Sequence, residues 1–359
     1  MDSIVGITKK DWKNLLKQNH YKVSVKYMLK ALIITNMSRI NSKDKKREDE
    51  LFGAEIKNTR IEKAPLFILG HWRSGTTFLQ NILINDNQFI SPNLFECRNP
   101  HTFLVRQKMF EFKLKRQKEE TRITDNVKLS LDSPGEEEFA VGIMSLCTPL
   151  LGWLFPAQRD YYERFLTFEQ ASKEELDRWK YWFLYYLKKI TFKHNKQLLL
   201  KSPVNTARVK YILDVFPDAK FVHIHRNPYA VFRSSKKMFH TAFSTSALQK
   251  NGSFADDDYV IDHYSRMHDA YFRDIKAIPE GNFIDLAFED LERDPFAEVK
   301  KIYTALNLAG FEDAGEAIKQ YLDSLKGYQK NTYKELDEDL RRKIQTHWKR
   351  SFETWAYDQ

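Results

Sequence analysis

Between Gly70 and Thr77 the chain reads GHWRSGTT, which places an arginine and three hydroxyl side chains on and just after a turn bounded by two glycines. Such a turn lets backbone amides approach a ligand, and guanidinium and hydroxyl groups beside it equip the stretch to hold a phosphate or sulfate. The spacing Gly70, four residues, Gly75 matches the phosphate loop of nucleotide triphosphatases, which then requires Lys followed by Ser or Thr. Here Thr76 and Thr77 follow instead, and Arg73 supplies the cation from inside the loop. Arg73, Ser74, Gly75, Thr76 and Thr77 are therefore the expected binding set for a terminal phosphosulfate or phosphate. Lys201 and Ser202 close the apolar run 198–200. Charged and hydroxyl residues at the carboxyl end of a buried strand lie where open α/β sheets bind ligands.

The elements needed to position these groups are legible on either side. Residues 66–69 (LFIL) read as a strand buried on both faces, and from Thr76 a helix places Phe78, Leu79, Ile82 and Leu83 toward a sheet. Runs 198–200, 221–225 and 282–288 are further strands, with helical patterns between them. Strand, helix, strand in alternation predicts one α/β domain with a central parallel sheet covered on both faces, together with helical additions.

HWRSGTTFL resembles the 5'-phosphosulfate loop of sulfotransferases that use 3'-phosphoadenosine 5'-phosphosulfate (PAPS), and the resemblance extends from residue 65 to about residue 333. That family reads the 3'-phosphate with an Arg at a strand end and a Ser eight positions later; Arg226 and Ser234 match. Arg offers a bidentate fork to a phosphate dianion and the serine one more donor. GYQKNTY, residues 327–333, is similar to the loop that closes over the cofactor, which implies a contact from Lys330. The stretch after Lys201 departs from the family at Asn205, where His is common. The resemblance implies a soluble, bacterial-type member with PAPS as co-substrate, and Arg73 and Lys201 as stabilisers of charge on the leaving phosphate oxygens. No metal is expected, because a sulfuryl group carries less charge than a phosphoryl group.

The acidic run Glu136, Glu137, Glu138 opens an apolar helix-like segment. Acids at a helix start are ordinary and account for one or two of them. In the resembling enzymes an acidic or histidine base lies near this place in the order, which implies Glu137 first, then Glu136, then Glu138 and His101. TPLLGWLF, residues 148–155, is unusually apolar. Core packing is the ordinary role for its aromatics and for those at 161–186; the alternative is an acceptor pocket with Trp153 and Phe155 on its walls. Almost no amide or charged group accompanies them, so a lipophilic alcohol such as a sterol or other lipid is favoured over a glycan. A P-loop kinase or triphosphatase, and a non-catalytic anion- or nucleic-acid-binding module, are the more remote alternatives.

The 359 residues supply ample core for one large α/β domain. The two cysteines, Cys97 and Cys147, are too few for a disulfide framework, which favours a reducing compartment and two packed thiols. A net charge of +9 suits an anionic cofactor but is weak evidence for nucleic acid without a motif. No apolar run reaches membrane-spanning length and no signal-peptide core opens the chain, so a cytoplasmic enzyme acting on a small hydroxyl acceptor is expected. Residues 1–50 read as a helical arm ending in the charged connector KDKKREDE (43–50), with 51–359 as the sulfotransferase domain. The basic amphipathic stretch 12–40 leaves transient contact with a membrane surface open.

Overall fold

Leu66–Leu69 forms β1, with all four residues buried, as a continuous apolar run predicts for a central parallel strand. The computed structural model describes residues 4–117, 120–121, 128–250, 256–325 and 335–358. Besides β1 the strands are β2 (Phe89–Ile90), β3 (Glu120–Thr121), β4 (Lys128–Leu129), β5 (Gln197–Lys201), β6 (Lys220–His225) and β7 (Phe283–Ala287). β3 and β4 make a small antiparallel ribbon. The other five form one sheet in the order β2-β5-β1-β6-β7, parallel throughout. The α/β architecture with a parallel sheet is thus present.

The chain divides into two compact units. The sheet belongs to the unit made of Lys63–Ser91, Lys196–Met238 and Ala255–Gln359. One sheet face carries Leu66, Ile68, Leu199, Val222 and Ile224, packed on Leu79, Ile82 and Leu83 of helix Thr76–Leu83 and on Val299 and Ile302 of helix Pro295–Ala305. Each such side chain taken from water stabilises the fold by roughly 1.5–3 kcal/mol. The alternate residues face the other way: Phe67 stacks on Phe221 at 5.6 Å between centroids, and His223 stacks on Tyr271 of helix Asp257–Asp274 at 4.1 Å.

The second unit comprises Met1–Glu62, Pro92–Asn195 and Phe239–Phe254. Its long helix Lys173–His194 starts at a capping box between Ser172 and Glu175 and stops at Asn195, which takes the left-handed conformation common after a helix. Trp179 stacks on Phe183 at 4.9 Å inside it. Both cysteines are buried thiols, not joined in a disulfide.

One expectation fails in this unit. KDKKREDE is no connector: helix Met28–Asn58 runs through it without a break, past residue 50. Glu48 is buried and pairs with Lys189, while accepting the N–H groups of Leu104 and Val105 at 2.8 and 3.1 Å. Lys189 also donates to the Pro100 carbonyl at 2.5 Å. Asp44 takes Arg106 at 2.6 Å. Burial holds the Glu48 carboxyl above its ordinary range and the Lys189 ammonium below its own. The partners come from distant parts of the chain, so the local pattern looked solvated.

Candidate active site

At the end of β1 the chain enters the loop through Gly70 at φ +144°, passes Arg73 at φ +74° and leaves through Gly75 at φ +104°. A Cβ on Gly70 would fall 2.6 Å from the Ile224 carbonyl, so only glycine lets the loop start beside β6. Its N–H donates to Thr206 Oγ1 at 2.8 Å, on the 3₁₀ turn Pro203–Ala207 that follows Lys201 and Ser202. Ser74 folds the turn on itself: its N–H and its hydroxyl both donate to the His71 carbonyl, at 3.1 and 2.8 Å. Helix Thr76–Leu83 then begins at Gly75 with no capping side chain, which leaves its first amides directed at the loop.

Arg226 follows directly after β6. Asn227 caps helix Pro228–Ser246 by accepting the N–H groups of Tyr229 and Ala230 at 3.0 and 3.3 Å, with Pro228 at the first helical position. Ser234 lies two turns past that cap and is buried. The loop and this helix meet at Arg73, whose Nε donates to Ser234 Oγ at 2.7 Å and whose carbonyl accepts Arg226 Nη1 at 3.3 Å. The Arg226 guanidinium lies over the Phe288 ring, 4.2 Å from its centroid. Lys201, buried, closes β5 in register with Ile68.

Behind the loop, His71 is buried against Tyr264, His263 and His268. Its Nδ1–H donates to the Trp72 carbonyl at 2.8 Å, a carbonyl that also accepts Ser235 Oγ at 3.3 Å. Burial pushes the His71 ring down to about 4 and holds His263 and His268 well below their ordinary value, so this backing is neutral. Arg73, Ser74, Gly75, Thr76, Thr77, Lys201, Arg226 and Ser234 thus all belong to the sheet unit. Lys330 falls outside the described residues. Sequence reasoning missed Thr206, Phe288 and His71: a lone Thr, Phe or His carries no motif, and only the positions of Thr206 and Phe288 just past strand ends hint at them.

The remaining candidates belong to the helical unit. Glu136 precedes the first turn of helix Glu137–Ser145, and Glu137 and Glu138 are buried in it. A recess of about 20 Å³, room for about one water, is lined by Glu138, Phe139, Ile143, Thr148, Leu151 and Leu154 among others. It joins one member of the acidic run to the apolar segment, but not through the expected aromatics. Leu150, Leu151 and Leu154 share the helical face that meets the recess, whereas Trp153 packs on Phe239 and Phe243, 6.4 Å from each ring, and Phe155 is fully buried. The structure places these two aromatics in the core. His101 is buried edge-on to Trp182, and burial together with the Lys189 charge holds it well below its ordinary value.

Among the described residues, no group of His, Cys, Asp and Glu is arranged to hold a metal ion, and no helix is long and apolar enough to cross a membrane. The profile of the sulfotransferase family matches residues 65–313. Omega-hydroxy-beta-dihydromenaquinone-9 sulfotransferase Stf3 of Mycobacterium bovis is 32% identical over 357 residues, which covers 99% of this chain and 91% of that protein. The same figures hold for Stf3 of Mycobacterium tuberculosis. In fold, the chain matches sulfotransferase STF9 of Mycobacterium avium with a TM-score of 0.69 at 16% identity, over 97% of this chain and 96% of that one. For STF1 of Mycobacterium tuberculosis the TM-score is 0.63 at 14% identity, over 95% and 91%.

Proposed function

This chain belongs to the sulfotransferase family and is a sulfotransferase, and we propose that its donor is PAPS and its acceptor the hydroxyl of a lipophilic alcohol. The observation that carries the donor reading is the meeting at Arg73. Its side chain and its carbonyl tie the glycine loop to Ser234 and Arg226, so two anion-binding motifs far apart in sequence form one constellation. A ligand with a sulfated 5'-phosphate and a separate 3'-phosphate needs two such positions; ATP has nothing to offer the second.

In the reaction the acceptor oxygen attacks sulfur and the bond from sulfur to the bridging phosphate oxygen breaks. The products are a sulfate ester and adenosine 3',5'-bisphosphate, and the acceptor proton passes to a base. We assign the base to the acidic run, Glu137 ahead of Glu136 and Glu138, with His101 behind them. Arg73 and Lys201 supply positive charge for the leaving phosphate. Loop amides hold the donor in line, so the protein contributes mainly alignment and charge. The lipophilic acceptor is supported by the relative Stf3, whose name specifies a hydroxylated menaquinone, and by the apolar segment 148–155 next to the acidic run in sequence.

Incubation of the protein with labelled PAPS and a panel of hydroxylated quinones, sterols, phenols and glycans tests both parts. The apolar alcohols are expected to take the label; sulfation of glycans alone would refute the acceptor. For the donor, Arg226→Ala should weaken binding of adenosine 3',5'-bisphosphate by about 1.5–3 kcal/mol and change that of adenosine 5'-phosphate much less. Equal losses for both nucleotides would show that Arg226 does not read the 3'-phosphate.

A further inference from the structure

Helix Met28–Asn58 buries one side and carries exposed apolar residues on another, where a surface helix ordinarily turns its polar residues outward. Ala31, Ile34, Ser38 and Asn41 face inward and are buried. On another side Leu29, Leu32 and Ile33 are 71%, 54% and 56% exposed, and Val25, on the single 3₁₀ turn before the helix, is 88% exposed. Met28 and Ile40 extend the same exposed strip. Scattered apolar side chains on a surface need no explanation, but a contiguous run at helical spacing marks a contact. The strip is held firmly rather than fraying: Lys30 donates to the carbonyls of Ser246 and Thr245 at 2.5 and 3.2 Å, and Ser24 N–H to that of Leu248 at 3.0 Å.

Charge identifies what the strip meets. From residue 12 to residue 43 the chain has seven Lys and Arg and no Asp or Glu, and Lys22, Lys26 and Arg39 are exposed beside the apolar residues. We infer that this face docks on an anionic lipid bilayer, with Val25, Leu29, Leu32 and Ile33 entering the headgroup region and the flanking lysines pairing with lipid phosphates. A second copy of the chain on the same face would set one strip's basic flanks against the other's. A nucleic acid would leave the apolar centre of the strip exposed. The inference gives a lipophilic acceptor a location, and in that sense it rests on the proposed function; its own test needs no turnover.

The experiment is co-sedimentation with phosphatidylcholine vesicles containing about 30 mol % phosphatidylglycerol, against phosphatidylcholine alone. The intact chain is expected to sediment with the anionic vesicles and to be released by high salt. Leu29→Ser/Ile33→Ser, and separately Lys22→Ser/Lys26→Ser, should each weaken binding by about tenfold or more while thermal unfolding is unchanged. Failure of the intact chain to bind anionic vesicles, or binding by either variant as tight as that of the intact chain, overturns the inference. So does sedimentation velocity showing a dimer that Leu29→Ser/Ile33→Ser dissociates. Vesicle binding with no sulfation of any apolar alcohol would leave the docking standing and refute the acceptor.

Discussion

Gly75 offers a quantitative test of how the donor loop is built. The residue sits at φ +104°, and a Cβ placed on it falls 2.3 Å from Cδ2 of Phe288, the half-buried ring over which Arg226 lies. Gly75→Ala therefore carries two costs: about 1–2 kcal/mol for a left-handed backbone with a side chain, and about 1–3 kcal/mol for forcing the ring aside. Phe288→Ala alone loses part of the burial of one aromatic, roughly 1–2 kcal/mol at its half-buried position. In the double variant the backbone cost remains and the clash is gone, so it should be more stable than the sum of the singles by about 1–3 kcal/mol. Urea unfolding of the four proteins measures the cycle, and calorimetry with adenosine 3',5'-bisphosphate measures its effect on binding, which Gly75→Ala should weaken by displacing the support under Arg226. Strict additivity of the two stability losses, or a Gly75→Ala loss below about 0.5 kcal/mol, would refute this account of the loop.

Breaking the interior ion pair with Glu48→Ala should destabilise the chain by about 3–5 kcal/mol, because Lys189 stays buried with its charge uncompensated; replacing both by apolar residues should cost less, and urea midpoints compare them. Acid should destabilise the fold between pH 6.5 and about 4: the His71 and His225 rings are pushed down to about 4, so over that window the unfolded chain binds protons that the folded one rejects. Each such histidine removes about 3 kcal/mol by pH 4, and proton uptake on unfolding at pH 5 checks the sign. Among Glu136→Gln, Glu137→Gln and Glu138→Gln, one should lower turnover by about 10²–10⁴-fold with bisphosphate binding intact; near-normal turnover in all three would transfer the role to His101.

Where local sequence determines structure, the reading and the structure agree. LFIL had to be a buried strand, the glycines around Arg73 adopt the positive φ angles that loop requires, and Arg226-Asn-Pro carries its own helix cap. Disagreement arises wherever a residue's meaning depends on a partner remote in the chain. Glu48 looked solvated because Lys189 lies on another helix. For Trp153 and Phe155 core packing and an acceptor wall both stayed open, because an apolar run shows no phase until its neighbours are in place. His71 became a loop support only through the rings of Tyr264, His263 and His268, none of which forms a motif with it.

The strand order has a consequence for synthesis. β1 pairs with β5 on one side and β6 on the other, and both are encoded more than a hundred residues later. At the usual pace of a ribosome, the strand that carries the donor loop emerges roughly ten seconds before either of its neighbours exists. During that interval four apolar residues with unpaired amides and carbonyls on both edges are exposed to any other chain. Chaperone demand during expression, and poor refolding from denaturant at high concentration, should therefore be set by β1, far more than by the helical segments whose contacts are local.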